Sequence, residues 1–119
     1  MKRAPGFAVV FVTAPDLPTA RTLAQAVLQA RLAACVNLLP GLASHYWWQG
    51  RLDHSAEVLL LIKTAKRKLA ALEKAILTQH PYDTPEIIAL PMVAGTPRYL
   101  DWMAASIAAE KPARPRKRK

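Results

Sequence analysis

The sequence predicts an α+β fold of the ferredoxin-like type. The expected order is β-α-β-β-α-β, an antiparallel sheet with helices on one face, a long hairpin between its second and third strands, and an extra C-terminal helix. Three observations carry this. Short apolar runs rich in β-branched residues alternate with amphipathic helical patterns. Two long extended runs in the middle meet across a Gly-containing turn. A stiff segment, residues 80–86 (His-Pro-Tyr-Asp-Thr-Pro-Glu), separates the second helical pattern from a last apolar run.

Residues 7–13 are almost wholly apolar, as in a strand at the centre of a sheet. Asp16 follows as an N-cap, and Pro18 falls in the first helical turn, where a missing N–H does no harm. Ala20, Leu23, Ala24, Val27, Leu28 and Arg31 repeat at helical spacing and predict a helix of about 16 residues. The Arg31 stem extends the apolar stripe while its charge reaches water.

Residues 35–39 read as a strand bent at Pro40-Gly41, with extended character resuming over 43–48. Residues 49–53 read as a turn and 54–63 as a second long strand. At about 3.3 Å per residue, ten residues span more than about 30 Å, longer than the helices need as a base. Tyr46, Trp47 and Trp48 lie near the tip, and successive strand residues face opposite ways, so both tryptophans cannot point inward. The excess length and the aromatics predict self-association through this hairpin.

Thr64 is placed to cap a second helix, with Leu69, Leu72, Ile76 and Leu77 as its buried stripe and Lys66, Arg67, Lys68, Glu73 and Lys74 on its wet side. After residues 80–86, a short strand runs to Val93, and Pro91 within it marks an edge or a bulge. Gly95-Thr96-Pro97 gives a turn, an N-cap and an N1 proline, and Leu100, Met103, Ala104 and Ile107 define a third helix.

With 119 residues, 52% of them hydrophobic, the chain is expected to form one domain over residues 1–110. The net charge of +9 is unevenly spread, since residues 111–119 hold six basic residues and no acid. Without them, 11 basic residues face 8 acidic ones, a domain charge of +3. The segment 111–119 is expected to be a disordered, solvated tail and to offer the chain's route to nucleic acid. No apolar run approaches the ~20 residues that span a bilayer, so no membrane partner is expected. The apolar run after the basic Met1-Lys2-Arg3 is too short for a signal segment, and Cys35 is the single cysteine. The expected compartment is the cytoplasm.

No Gly-rich phosphate loop, nucleophile elbow, HExxH or CxxC pattern occurs, and no nucleophile–base set can be assembled from spacing, so no enzyme is predicted. What remains is Cys35, His45, His54, His80, Glu57, Lys63, Asp83 and Glu86. Thiolate and imidazole together suit copper or zinc. The alternatives are a core Cys35, a capping His80 and a snorkelling Lys63. A buried Glu57 needs a partner, and Lys63, on the same strand face, serves only through an intermediate group.

Several blocks then carry a family resemblance. Residues 32–37 (Leu-Ala-Ala-Cys-Val-Asn) with Pro40-Gly41, 46–50 (Tyr-Trp-Trp-Gln-Gly), Glu57-Val58, Ile62-Lys63-Thr64 and residues 80–86 resemble the CutA divalent-cation-tolerance family. Thr13-Ala14-Pro15-Asp16 and Tyr99-Leu100-Asp101-Trp102 are similar to its first and last blocks, so the resemblance spans residues 7–108. It implies a ferredoxin-like subunit in a tight homotrimer whose long hairpins pair between subunits. It also implies high stability, a role in tolerance of copper(II) or another divalent cation, and no established enzymatic reaction. Copper-binding members look as if they use a first-strand cysteine and two adjacent histidines. Val12 and the pair Gln79-His80 stand at those places here, which leaves His80, with Cys35 matching a second family cysteine. The family is also similar to PII signalling proteins. That likeness implies an inter-subunit cleft for a small ligand or protein partner, lined by Trp48, Glu57, Lys63, Tyr82, Glu86 and Trp102.

Overall fold

Alternating buried and half-buried side chains along residues 7–14 give the sheet its central strand. The computed structural model describes residues 1–109; the expected tail 111–119, with its nucleic-acid reading, lies outside them. The chain runs β1 (Lys2–Arg3), β2 (Phe7–Ala14), α1 (Leu17–Gln29), β3 (Cys35–Trp48), β4 (Arg51–Ala65), a 3-10 turn (Lys66–Lys68), α2 (Leu69–Gln79), β5 (Ile87–Pro91), β6 (Ala94–Gly95) and α3 (Pro97–Ala108). Four strands form one sheet in the order β3-β4-β2-β5, every neighbouring pair antiparallel. This is the expected ferredoxin-like arrangement. The β1–β6 pair is a separate two-stranded sheet that the sequence pattern did not reveal.

Even-numbered residues of β2 and β4 meet both main helices. Val10, Val12, Ala14, Val58, Leu60 and Ile62 pack with Ala20, Leu23 and Val27 of α1 and Leu72 and Ile76 of α2. Both helices therefore lie on one face. Helix α3 builds a smaller cluster, in which Leu100 and Met103 pack with Ala4, Phe7, Ala34 and Met92. The opposite sheet face carries half-buried Val9, Phe11, Leu59 and Leu61 and exposed Leu39, Ile88 and Leu90.

Several boundaries differ from expectation. Helix α1 has 13 residues, because Arg31 adopts φ 57°, outside helical geometry. Arg31 Nη1 donates to Ser106 O at 3.0 Å, so its charge also ties α3 to the end of α1 while the residue stays partly exposed. Thr64 caps nothing. It remains paired in β4, wholly buried, and its hydroxyl donates to Leu32 O at 2.6 Å. Helix α2 consequently starts at Leu69. Leu77 is 50% exposed, so the buried stripe of α2 rests on Leu72 and Ile76.

Strand β4 has 15 residues, not ten, because a two-residue turn is enough to reverse the chain. Trp48 pairs with Arg51, and Gln49 and Gly50 take φ 50° and 78°, the positive pair that matches strand twist. The irregularity expected at Pro40-Gly41 is a register shift between Leu39 and Leu42, with Gly41 at φ 83°. Strand β2 pairs β4 only from Val58 to Ala65. Residues 51–57 therefore have β3 alone beside them and form a two-stranded ribbon projecting from the sheet. The 48 Å long axis of the molecule reflects this projection.

Candidate functional site

Pro81 forces His80 out of the helical region, to φ −73° and ψ 135°, and ends α2 there. The His80 imidazole turns inward and is buried. Its Nε2 lies 2.7 Å from Thr13 O, and Nδ1 accepts the Tyr82 backbone N–H at 3.1 Å. A carbonyl only accepts, so Nε2 carries the proton and Nδ1 the lone pair. The Tyr82 ring lies against His80, with centroids 4.8 Å apart. Its hydroxyl donates to Glu57 Oε2 at 3.0 Å. Glu57 is 8% exposed and sits on β4 just past the end of β2, where the 80–86 segment takes the place of a neighbouring strand.

These contacts link Thr13, His80, Tyr82 and Glu57. Burial pushes the Tyr82 phenol up to about 12, with the hydrogen bond to Glu57 and the charges of Glu57, Tyr46 and Asp16 adding to it. The partner of Glu57 is thus Tyr82, not Lys63. Lys63 lies six residues along β4, about 20 Å away. Spacing along one strand exposed the need for a partner. The loop that supplies it meets β4 only in three dimensions.

A second group occupies the other end of β2. Cys35 pairs directly with Lys63, and Lys63 with Val9. The Lys63 Nζ donates to Asn37 Oδ1, and Cys35 Sγ lies 3.8 Å from the same oxygen. Burial raises the Tyr99 phenol above its ordinary range, and the Cys35 charge and a hydrogen bond to Cys35 raise it further. Tyr99 also stacks on Trp102, centroids 5.5 Å apart at 35°. The motif reading missed Asn37 and Tyr99, although alternation places Asn37 on the same face of β3 as Cys35.

The structure therefore brings Glu57, Tyr82 and His80 together in one place and Cys35, Lys63 and Trp102 in another. Glu86 is exposed, and Trp48 lies at the ribbon tip, 46% exposed. Cys35 and His80 do not meet within one chain. Val9, level with Cys35, and Thr13, which holds His80, are four residues apart, about 13 Å along β2. Both His80 nitrogens are also engaged. Among the described residues, no group of three His, Cys, Asp or Glu side chains is placed to hold a metal ion. Cys35 with His80 does not fit a divalent cation in the single chain.

A family model described as CutA1 divalent ion tolerance protein matches residues 8–106. The chain belongs to the CutA1 divalent ion tolerance family. The CutA divalent-cation tolerance protein of Thermus thermophilus is 47% identical over 95 residues, 80% of this chain and 92% of that protein. Its solved structure has a TM-score of 0.80 at 46% identity, covering 82% of this chain and 94% of that one. The rice protein CutA 1, named chloroplastic, is 45% identical over 98 residues, 82% of this chain, and the chain spans 55% of its length. The crystal structure of rice CutA1 gives a TM-score of 0.84 at 42% identity, covering 89% of this chain and 96% of that one. A CutA described as periplasmic, from Archaeoglobus fulgidus, matches with a TM-score of 0.83 at 34% identity, over 85% of this chain and 98% of that one. The Thermus and Archaeoglobus relatives are named for divalent-cation tolerance, and none of these names states a reaction. Two carry compartment names other than the cytoplasm expected for this chain. No helix among the described residues is long and apolar enough to cross a membrane.

Proposed function

We propose that this chain is a non-enzymatic divalent-cation tolerance protein that works as a homotrimer joined through its long hairpin, with copper(II) or another borderline divalent ion as its cation. The carrying observation is the ribbon. Residues 51–57 of β4 lack a second neighbouring strand, and the exposed ribbon side chains include Trp47 at 71%, Leu52 at 70% and Trp48 at 46%. Large aromatics at that exposure are what a partner surface covers. The apolar sheet face carrying Leu39, Ile88 and Leu90 supplies further area for it. The family description and the names of the Thermus and Archaeoglobus relatives supply the cation-tolerance part of the reading. Light scattering on the purified chain checks the assembly: a mass three times 13.1 kDa is expected, and a monomer at micromolar concentration overturns it. Complementation checks the role. The chain should restore copper tolerance to a host lacking its own CutA, and no gain in tolerance counts against it.

A second reading is favoured by the buried Glu57 carboxylate under Tyr82. A trimeric, PII-like regulator or scaffold would place this carboxylate, Lys63, Glu86, Trp48 and Trp102 along inter-subunit clefts that take a small ligand or protein partner. Thermal-shift screening of metabolites tests it. A stabilising compound whose effect disappears in Glu86→Ala supports the cleft, and a screen without one counts against it.

A further inference from the structure

The ribbon carries a pair of titratable side chains that neither reading uses. His45 on β3 and His54 on β4 are directly opposed in register. Their rings lie with centroids 5.8 Å apart at 36°, and both residues are exposed. Opposed residues of an antiparallel pair hold their Cβ atoms about 4.5–5.5 Å apart, so the backbone fixes this approach.

We propose that His45 and His54 chelate one divalent transition-metal ion of the copper(II)–zinc(II) class. Neutral imidazole is a preferred ligand for these ions. The geometry is compatible. A metal about 2.1 Å from an imidazole nitrogen lies about 3.2 Å from that ring's centre. Two rings sharing an ion then have centres about 4.5 to 6.4 Å apart as the angle at the metal opens from about 90° to 180°. The observed 5.8 Å falls inside this window.

The surroundings leave space for the rings to turn. A shallow hollow of about 290 Å³ beside the pair is lined by both histidines, Leu42 and the small residues Gly41, Ala43, Ser44, Ser55 and Ala56. Register continues the helix-facing side of β4 from Val58 through Ala56 to His54, and of β3 through Ala43 to His45. Tyr46 and Trp48 point to the other face, whereas Trp47 and Leu52, opposed to each other nearer the tip, share the face of the histidines. Water completes the coordination, because only two protein ligands are present. This site is separate from Cys35 and His80.

Calorimetric titration of the full chain with zinc(II) alone tests the proposal, in wild type and in a Cys35→Ser background that silences the thiol. One zinc per chain is expected in both. His45→Gln or His54→Gln, each a mild change at an exposed position, should weaken binding about a hundredfold, the low end of what linking two binding events provides. His80→Gln should leave it unchanged. NMR of the imidazole nitrogens should show both rings shifting at one equivalent. Unchanged affinity in both ribbon variants, loss of binding on Cys35→Ser or His80→Gln, or no saturable binding at millimolar zinc overturns it. A trimer that fails this titration overturns the histidine site alone. A monomer that passes it overturns the assembly alone.

Discussion

The Tyr82 hydroxyl donates to Glu57 Oε2 at 3.0 Å across 25 residues of sequence. It closes the end of the sheet where β2 stops and puts a phenol over a buried carboxylate. Tyr82→Phe removes the donor and leaves the carboxylate under-satisfied. It should destabilise the fold by about 1–3 kcal/mol, measured from urea unfolding midpoints.

The same phenol sets an alkaline limit. Its pKa is raised by burial, and then by Glu57, from 10.0 to about 12. The folded protein therefore holds this proton more tightly than the unfolded chain. The associated stability is fully present below pH 10.0 and is lost as pH rises through about 12. Near-ultraviolet absorbance should show late tyrosine ionisation from Tyr82 and Tyr99, and Tyr82→Phe should remove the Tyr82 contribution while that of Tyr99 remains. In Glu57→Gln the Tyr82 contribution should move part of the way down, since burial, the larger cause, remains.

Asp16 gives the opposite sign at acid pH. Its Oδ1 accepts the Thr19 N–H at 2.8 Å as the N-cap of α1. Hydrogen bonds from Thr19 hold its carboxyl below the ordinary 3.8. Stability from the charged cap is present above pH 3.8 and is lost as pH falls through the lower folded value. Asp16→Asn keeps a capping acceptor without the charge. Its unfolding midpoint should lie closer to that of wild type as pH falls below 3.8, followed by circular dichroism.

His80 serves structure before any metal. His80→Ala strips Thr13 O and the Tyr82 N–H of their partner. A loss of about 1–3 kcal/mol for each group left buried without a partner is expected in thermal unfolding. His80→Gln should recover part of it.

Leu60 and Leu77 test where the helices pack. Leu60 is fully buried and Leu77 is half exposed. Leu60→Ala should cost about 2–5 kcal/mol, whereas Leu77→Ala should stay within about 0.5 kcal/mol of wild type. Denaturant midpoints of the two variants separate these outcomes.

Much of the fold was legible in the chain because local rules and packing agree. The apolar run at residues 7–13, Asp16 with Pro18, the Pro81 stop and Thr96-Pro97 all act over a few residues, and each places an element boundary close to where it is found. Thr64 and Leu77 were misread where tertiary partners outweighed local preference. A hydroxyl suited to a cap was taken by Leu32 O, and a leucine at helical spacing met no neighbour. The 49–53 turn was read too long because two residues at positive φ reverse the chain, and residue types alone do not show that both adopt it.

The candidate sites divide the same way. The sequence alone determined the residue inventory, the family blocks, the long hairpin and the need of a buried Glu57 for a partner. The tertiary structure decided that this partner is Tyr82, that His80 is bound through both nitrogens, and that Cys35 and His80 stand at opposite ends of β2. It also set His45 opposite His54, because the register shift between Leu39 and Leu42 determines which residues face each other beyond it. Strand alternation assigns a side chain to a face, but only pairing across strands and loops assigns it a neighbour.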